Sequence, residues 1–145
     1  MFTDETVSVI PPFELKDHEG VAYHLDMLMG ERGTLLGFTG DVWEVSSVRY
    51  VLWLQRQHFK LASKGIQCAL IIPNQPYELN GFYLSIPRKI TFPLLADPNR
   101  DLYDAVGMDK SGYMAINDEG VELARWYLKE TATLSMNAVL YHFKR

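Results

Sequence analysis

Cysteine, positive charge and long apolar runs are all scarce in this chain of 145 residues. Its one cysteine, Cys68, cannot form an internal disulfide. Together with His18, His24, His58 and His142 it offers no zinc-ligand spacing, so neither a metal nor a cofactor is expected. Lys and Arg number 14 against 18 Asp and Glu, a formal charge of −4. That balance lacks the basic footprint of a nucleic-acid or anionic-membrane partner. The longest apolar runs, Gly33 to Thr39 and Cys68 to Pro73, fall far short of the roughly 20 residues that cross a bilayer. The opening Met1-Phe2-Thr3-Asp4-Glu5-Thr6 is acidic where a secretory signal is basic, and a cytoplasmic location is expected. Repeats, low-complexity tracts and flexible linkers are also missing, which predicts a single domain over 1–145.

What the chain does have is 48% hydrophobic residues in short periodic stretches, the composition of a folded protein. Phe13 to Leu15 and Val21 to His24 flank Asp17-His18-Glu19-Gly20 and read as a β-hairpin, with Gly20 supplying the positive φ of the turn. Leu25 to Met29 reads as a short helical turn ended by Gly30. Thr34 to Phe38 is a continuous apolar run of strand length, the mark of a strand covered on both faces, and Ile66 to Ile72 reads as a second buried strand, stopped by Pro73. Between them a helix is predicted from about Val42 to Ser63, with Val48, Val51, Leu52, Gln55, Phe59 and Ala62 facing inward. Tyr77 to Leu84 predicts another helix and Phe92 to Leu95 a short strand. Asp97 then reads as the N-cap, and Pro98 as the first residue, of a helix through Val106. A hairpin follows, Tyr113 to Ile116 and Val121 to Trp126, around Asn117-Asp118-Glu119-Gly120. Thr133 to Phe143 closes the chain as a helix, with either Leu134, Ala138 and Tyr141 or Val139 and Phe143 inward. A β-α-β start, an antiparallel hairpin and a final helix predict a mixed sheet with helices on both faces.

This order, with its landmarks, resembles the peroxiredoxin family, the alkyl hydroperoxide reductase and thiol-specific antioxidant branch of the thioredoxin fold. Pro11-Pro12-Phe13-Glu14-Leu15-Lys16-Asp17-His18-Glu19-Gly20 is similar to the family's P-x-F-x-L-x-D-x-x-G hairpin. Leu25 to Gly30 resembles its L-x-D-x-x-G turn, with departures. Phe92-Pro93-Leu94-Leu95-Ala96-Asp97-Pro98 is close to F-P-L-L-S-D-P, and Leu102 to Met108 resembles the A-x-x-Y-G-V that follows. Tyr113 to Gly120 resembles T-F-V-I-D-x-x-G. The resemblance implies an α/β, thioredoxin-like fold of peroxiredoxin type: a mixed central sheet, helices on both faces and an N-terminal β-hairpin.

The active-site motif is where the sequence departs. Aligned from Phe38, the family pattern F-x-P-x-x-x-T-x-x-C puts Gly40 at the proline, Glu44 at the threonine and Ser47 at the peroxidatic cysteine. In the thioredoxin register W-C-x-x-C, one residue shorter, Trp43 and Ser46 take the two cysteine positions. Neither register finds a thiol. The arginine the family places before its late strand is also missing from Asp109-Lys110-Ser111-Gly112. Lys110 has the charge but not the bidentate guanidinium.

A serine hydroxyl at this place stays protonated without an adjacent base, and it cannot follow the sulfenic-acid chemistry of a peroxidase. No histidine lies in the segment to serve Ser46 or Ser47, so a serine hydrolase would need His58 or His24 to be brought in by the fold. Asp41 reads as the helix N-cap and Glu44 as its acidic capping-box partner, two carboxylates where a thiolate would need the opposite charge. Ser46 and Ser47 therefore read as small residues of a first helical turn. Cys68, in an apolar strand, reads as a buried small hydrophobe. Trp43 either walls a former active-site pocket, as the resemblance implies, or packs beneath the next loop. The aromatics in Tyr50-Val51-Leu52-Trp53 read as core. The function expected is that of a redox-inactive relative retained as a binding or regulatory module, with no catalytic residue. Its surface for an unknown protein or small-molecule partner would comprise Thr39, Gly40, Asp41, Trp43 and Glu44. Relatives of this kind often form dimers, so a second copy is among the expected partners. The alternative is a thiol-dependent peroxidase or oxidoreductase that uses Cys68 or a partner's cysteine.

Overall fold

The computed structural model describes residues 8–128 and 134–143. Seven strands form one sheet: β1 (Glu14–Asp17), β2 (Ala22–His24), β3 (Gly33–Phe38), β4 (Ile66–Ile72), β5 (Leu94–Ala96), β6 (Gly112–Asn117) and β7 (Glu122–Tyr127). Their order across the sheet is β2-β1-β5-β4-β3-β6-β7. The three central strands, β5, β4 and β3, run parallel, and antiparallel pairs extend both sides. Four helices, α1 (Val45–Ser63), α2 (Pro76–Ser85), α3 (Asp101–Val106) and α4 (Met136–His142), and a 3₁₀ turn (Leu25–Leu28) cover the two faces.

Strand alternation divides the core in two. Leu35, Cys68, Leu70, Leu94, Tyr113 and Ala115 point to the face packed by α1, α2 and α4. Leu36, Phe38, Ala69, Ile71, Met114 and Ile116 point to the face packed by the 3₁₀ turn and α3. With both faces covered, β3 and β4 have no need of polar alternation, which is why they stand out as apolar runs. β4 matches its expected span residue for residue. Both hairpins form as predicted, with Gly20 at φ +82° in the first turn.

Several boundaries and faces differ from expectation. α1 begins at Val45, three residues later than predicted, because Asp41 to Glu44 close a separate turn first. Its buried residues are Ser47, Tyr50, Val51, Trp53, Leu54 and Leu61. Leu52, Phe59 and Ala62 are exposed. The helix carries two apolar stripes about 120° apart that share Val51, and only one meets the sheet. Tyr50, Val51 and Trp53 are core as expected, and the Trp53 indole donates to the Leu134 carbonyl at 2.9 Å, tying α1 to the lead-in of α4.

α3 begins at Asp101, not at Pro98, and its N-cap is Arg100 in the left-handed conformation. Asp97 still serves the helix start from a distance: its carboxylate accepts from the backbone N–H groups of Asp101, Leu102 and Tyr103. Burial raises its pKa against the opposing pull of those three bonds. α2 gains Pro76 as its first residue, a position where proline's missing N–H costs nothing. β5 lies two residues later than predicted at its start and includes Ala96. α4 starts at Met136 with Ser135 as N-cap, and Thr133 lies outside the described residues. Val139 and Phe143 are its inward residues and Leu134 is buried just before it, whereas Tyr141 is exposed. No helix among the described residues is long and apolar enough to cross a membrane.

Candidate functional site

The segment between β3 and α1 leaves the sheet at the carboxyl ends of the parallel strands, where open α/β sheets place their sites. Its first residue is tied down from below. Thr39 is buried, its N–H donates to the Ile71 carbonyl at 3.1 Å, and its hydroxyl donates to the Gly40 carbonyl at 2.8 Å. The Tyr103 hydroxyl from α3 lies 2.6 Å from the Thr39 carbonyl and 2.8 Å from that of Ile71, clamping the ends of β3 and β4 together. Burial pushes the Tyr103 phenol well above its ordinary pKa, so it stays a proton donor.

Asp41 to Glu44 form a reciprocal turn. The Asp41 carboxylate accepts from the Trp43 N–H at 2.9 Å, and the Glu44 carboxylate accepts from the Asp41 N–H at 3.0 Å. This is the bonding of a capping box applied to a turn of its own, so the two acids do not cap α1 as the sequence suggested. The N-cap of α1 is Glu44, whose side chain makes no capping bond to that helix. Asn74, buried after β4, completes the arrangement: its carbonyl accepts from the Val42 N–H at 3.0 Å and its amide donates to Asp41 at 2.9 Å.

Ser47 is 1% exposed, and its hydroxyl donates to the Asp41 carbonyl at 2.7 Å, with the Gly40 carbonyl at 3.4 Å. Ser46 beside it is half-buried. The fold does not supply the histidine a hydrolase would need. His58 pairs with the Thr91 hydroxyl, and His24 faces Glu14 at 3.5 Å on the β1–β2 hairpin. A β-carbon added at Gly40 would lie 2.7 Å from a Glu44 carboxylate oxygen, so any larger residue there displaces the Glu44 bond.

The remaining expected residues separate. Trp43 is 59% exposed and rests edge-on against Phe82 of α2, with ring centroids 5.9 Å apart. Val45 and Tyr77, each in the first turn of its helix, are also exposed. Cys68 lies in the middle of β4 opposite Leu35, 6% exposed, and burial pushes its thiol up to about 12. Lys110 is exposed in the α3–β6 turn. A guanidinium does reach that turn, from β7: Arg125 donates to the carbonyls of Val106 and Gly107 and pairs with Glu122 at 2.7 Å. No group of acidic, histidine or cysteine side chains able to hold a metal occurs among the described residues.

Asn74 and Tyr103 went unremarked as site residues in the sequence. Asn74 had a signal, since a polar residue directly after a buried parallel strand sits at the carboxyl end of the sheet. Tyr103 had none, because its partners are carbonyls contributed by two other strands.

Solved structures similar to this chain have the same architecture. Peroxidoxin BcpB from Mycobacterium tuberculosis superposes with a TM-score of 0.81 at 15% identity, covering 94% of each chain. AhpC from Enterococcus faecalis gives 0.81 at 14% identity, covering 94% of this chain and 89% of its own. A putative thiol:disulfide interchange protein DsbE from Chlorobium tepidum gives 0.72 at 19% identity, covering 83% of this chain and 84% of its own. At these identities the likeness is one of fold. Among curated proteins none matches the sequence. The sequence pattern of the AhpC/TSA family, by contrast, matches residues 8–130, a span that takes in the hairpin, the β3–α1 junction and the late strands, and the chain belongs to that family.

Proposed function

We propose that this chain is a redox-inactive member of the AhpC/TSA family, acting in the cytoplasm as a binding module through the surface of the Thr39–Ser47 segment, which Asp41, Trp43 and Glu44 present while Thr39 itself is buried beneath it. The reading rests above all on Ser47. At the position that matches the family's peroxidatic cysteine, a buried hydroxyl is engaged inward with a main-chain carbonyl. It has neither a thiol's redox chemistry nor a base to activate it. The lone thiol elsewhere, at Cys68, is buried and held protonated. The exposed Trp43 ring at the junction suits a protein partner, and a second copy of the chain is the first to test.

Two measurements test the reading. Purified protein with dithiothreitol and either hydrogen peroxide or cumene hydroperoxide should show no peroxide loss above the reductant blank. Turnover that disappears in Cys68→Ser would establish the rival, a thiol peroxidase working through Cys68. Sedimentation velocity over a range of protein concentrations should show reversible dimers that Trp43→Ser abolishes. Monomers at every concentration would remove the second copy as partner.

A further inference from the structure

At the end of the sheet opposite the β3–α1 junction lies an open groove of about 600 Å³, within the range of ligand-binding clefts. Phe13, Leu25 and Met29 supply apolar wall, and Asp26, Asp118 and Glu119, all exposed, are the acidic residues of its rim. These walls come from three separate pieces of chain: the segment leading into β1, the 3₁₀ turn, and the β6–β7 turn. The last piece is held in place by the Ile10 N–H, which donates to the Gly120 carbonyl at 2.9 Å, and by a bridge between Val9 and Val121. Of the described residues on the groove wall, His24 alone is basic, and it faces Glu14 across 3.5 Å. Arg32 lies beyond the β6–β7 turn, in an adjoining cavity of about 220 Å³ that Asp118 and Glu119 also line.

We infer that this groove binds a short cationic segment of a partner protein, apolar side chains seated on the wall and Lys or Arg side chains set against the carboxylates. Charge complementarity selects this occupant. The chain's own first residues include Asp4 and Glu5, of the same sign as the rim. A second copy would bring the same acidic rim and a formal charge of −4. A peptide that combines apolar and basic residues matches the wall and the rim together. The site is separate from the Thr39–Ser47 surface, so its fate does not depend on the function proposed above.

The experiment uses the full chain and fluorescein-labelled hexapeptides of alternating leucine with lysine, glutamate or serine, read by fluorescence anisotropy. The lysine peptide should bind, and the glutamate peptide should not. Raising salt from about 0.1 M to about 1 M, which shortens the screening length from about 10 to about 3 Å, should weaken binding about tenfold. The double variant Asp26→Lys and Glu119→Lys, at two exposed positions that leave the core intact, should also lose about tenfold for the lysine peptide and gain binding of the glutamate peptide. Trp43→Ser should change nothing. Equal binding of the lysine and glutamate peptides by the unmodified protein would overturn the inference. So would indifference to the double variant, dependence on Trp43, or no binding of the lysine peptide at any accessible concentration.

Discussion

Ser47 and Cys68 are both buried, for opposite reasons. Ser47 sits in a small polar scaffold in which Asp41, Glu44 and Asn74 exchange hydrogen bonds with the main chain. Cys68 sits in an apolar wall, facing the core beneath α1, where its sulfur is desolvated. The family's chemistry needs a thiol in a polar, electropositive helix start. Here the polar junction holds a hydroxyl bonded to main-chain carbonyls in a turn that carries two carboxylates, and the thiol lies where burial opposes its ionisation. The two requirements for a reactive sulfur have been separated onto different elements.

The largest effect expected from this separation concerns Cys68. Its thiol is pushed up to about 12 from an ordinary 9.0, so near neutral pH the folded protein holds roughly a thousandfold less thiolate than the unfolded chain. Alkylation by iodoacetamide at pH 7.5 should be slower in the folded protein by roughly that factor, and should reach the unfolded rate in concentrated denaturant. Folding linkage gives a second readout. A group whose pKa is raised by folding stabilises the fold fully below its unfolded value, and that contribution is lost as pH rises. Stability to urea should therefore fall from pH 9 towards pH 12, and Cys68→Ala should make the fall shallower. Tyr50, pushed up to about 12 by burial, contributes to the same decline from about pH 10. Rapid alkylation of the folded protein would place Cys68 in an accessible environment and collapse the contrast.

A smaller pair of effects probes the polar side. Asn74→Ala leaves the N–H of Val42, a fully buried residue, without its acceptor. The expected cost is about 2 kcal/mol, the penalty of an unsatisfied buried donor. Ser47→Ala should cost less, about 1 kcal/mol, because the Asp41 carbonyl keeps a second partner in the Glu44 N–H at 3.0 Å. Urea melts with unchanged m-values measure both. A larger loss for Ser47→Ala than for Asn74→Ala would make Ser47 the keystone of the junction.

The same contrast explains what could be read in advance. β4 was legible to the residue because Gly65 and Pro73 bound a strand-length stretch that is apolar except for Gln67. The junction was legible in composition but not in geometry. Asp41 and Glu44 do form a reciprocal pair, yet nothing local distinguishes a capping box that opens a long helix from one that closes a single turn. The acceptor for Val42 comes from Asn74, 32 residues away. On α1, Leu52 and Phe59 are as apolar as the buried stripe, so periodicity alone left two rotations of the helix open. Asp97 serves the start of α3 as its sequence suggests, but from three residues before the N-cap, because Arg100 takes that place in a left-handed conformation that sequence does not announce.

Ser47→Cys in a Cys68→Ala background should produce the smallest change of all: no peroxide turnover. The new thiol would inherit the serine's role as donor to the Asp41 carbonyl, a bond that favours the protonated form. The Asp41 and Glu44 carboxylates of the same turn disfavour a thiolate further, so the pH midpoint of alkylation should lie above the ordinary cysteine value. Restoring the family's proline at position 40 would not help by itself, since any β-carbon there collides with Glu44 and releases its bond to the Asp41 N–H. Reductant-dependent peroxide loss by Ser47→Cys, or an alkylation midpoint below about 7, would mean that the activating environment survives and only the sulfur is missing. The junction would then be a peroxidase site one atom short, and its polar scaffold would be stabilising for a thiolate after all.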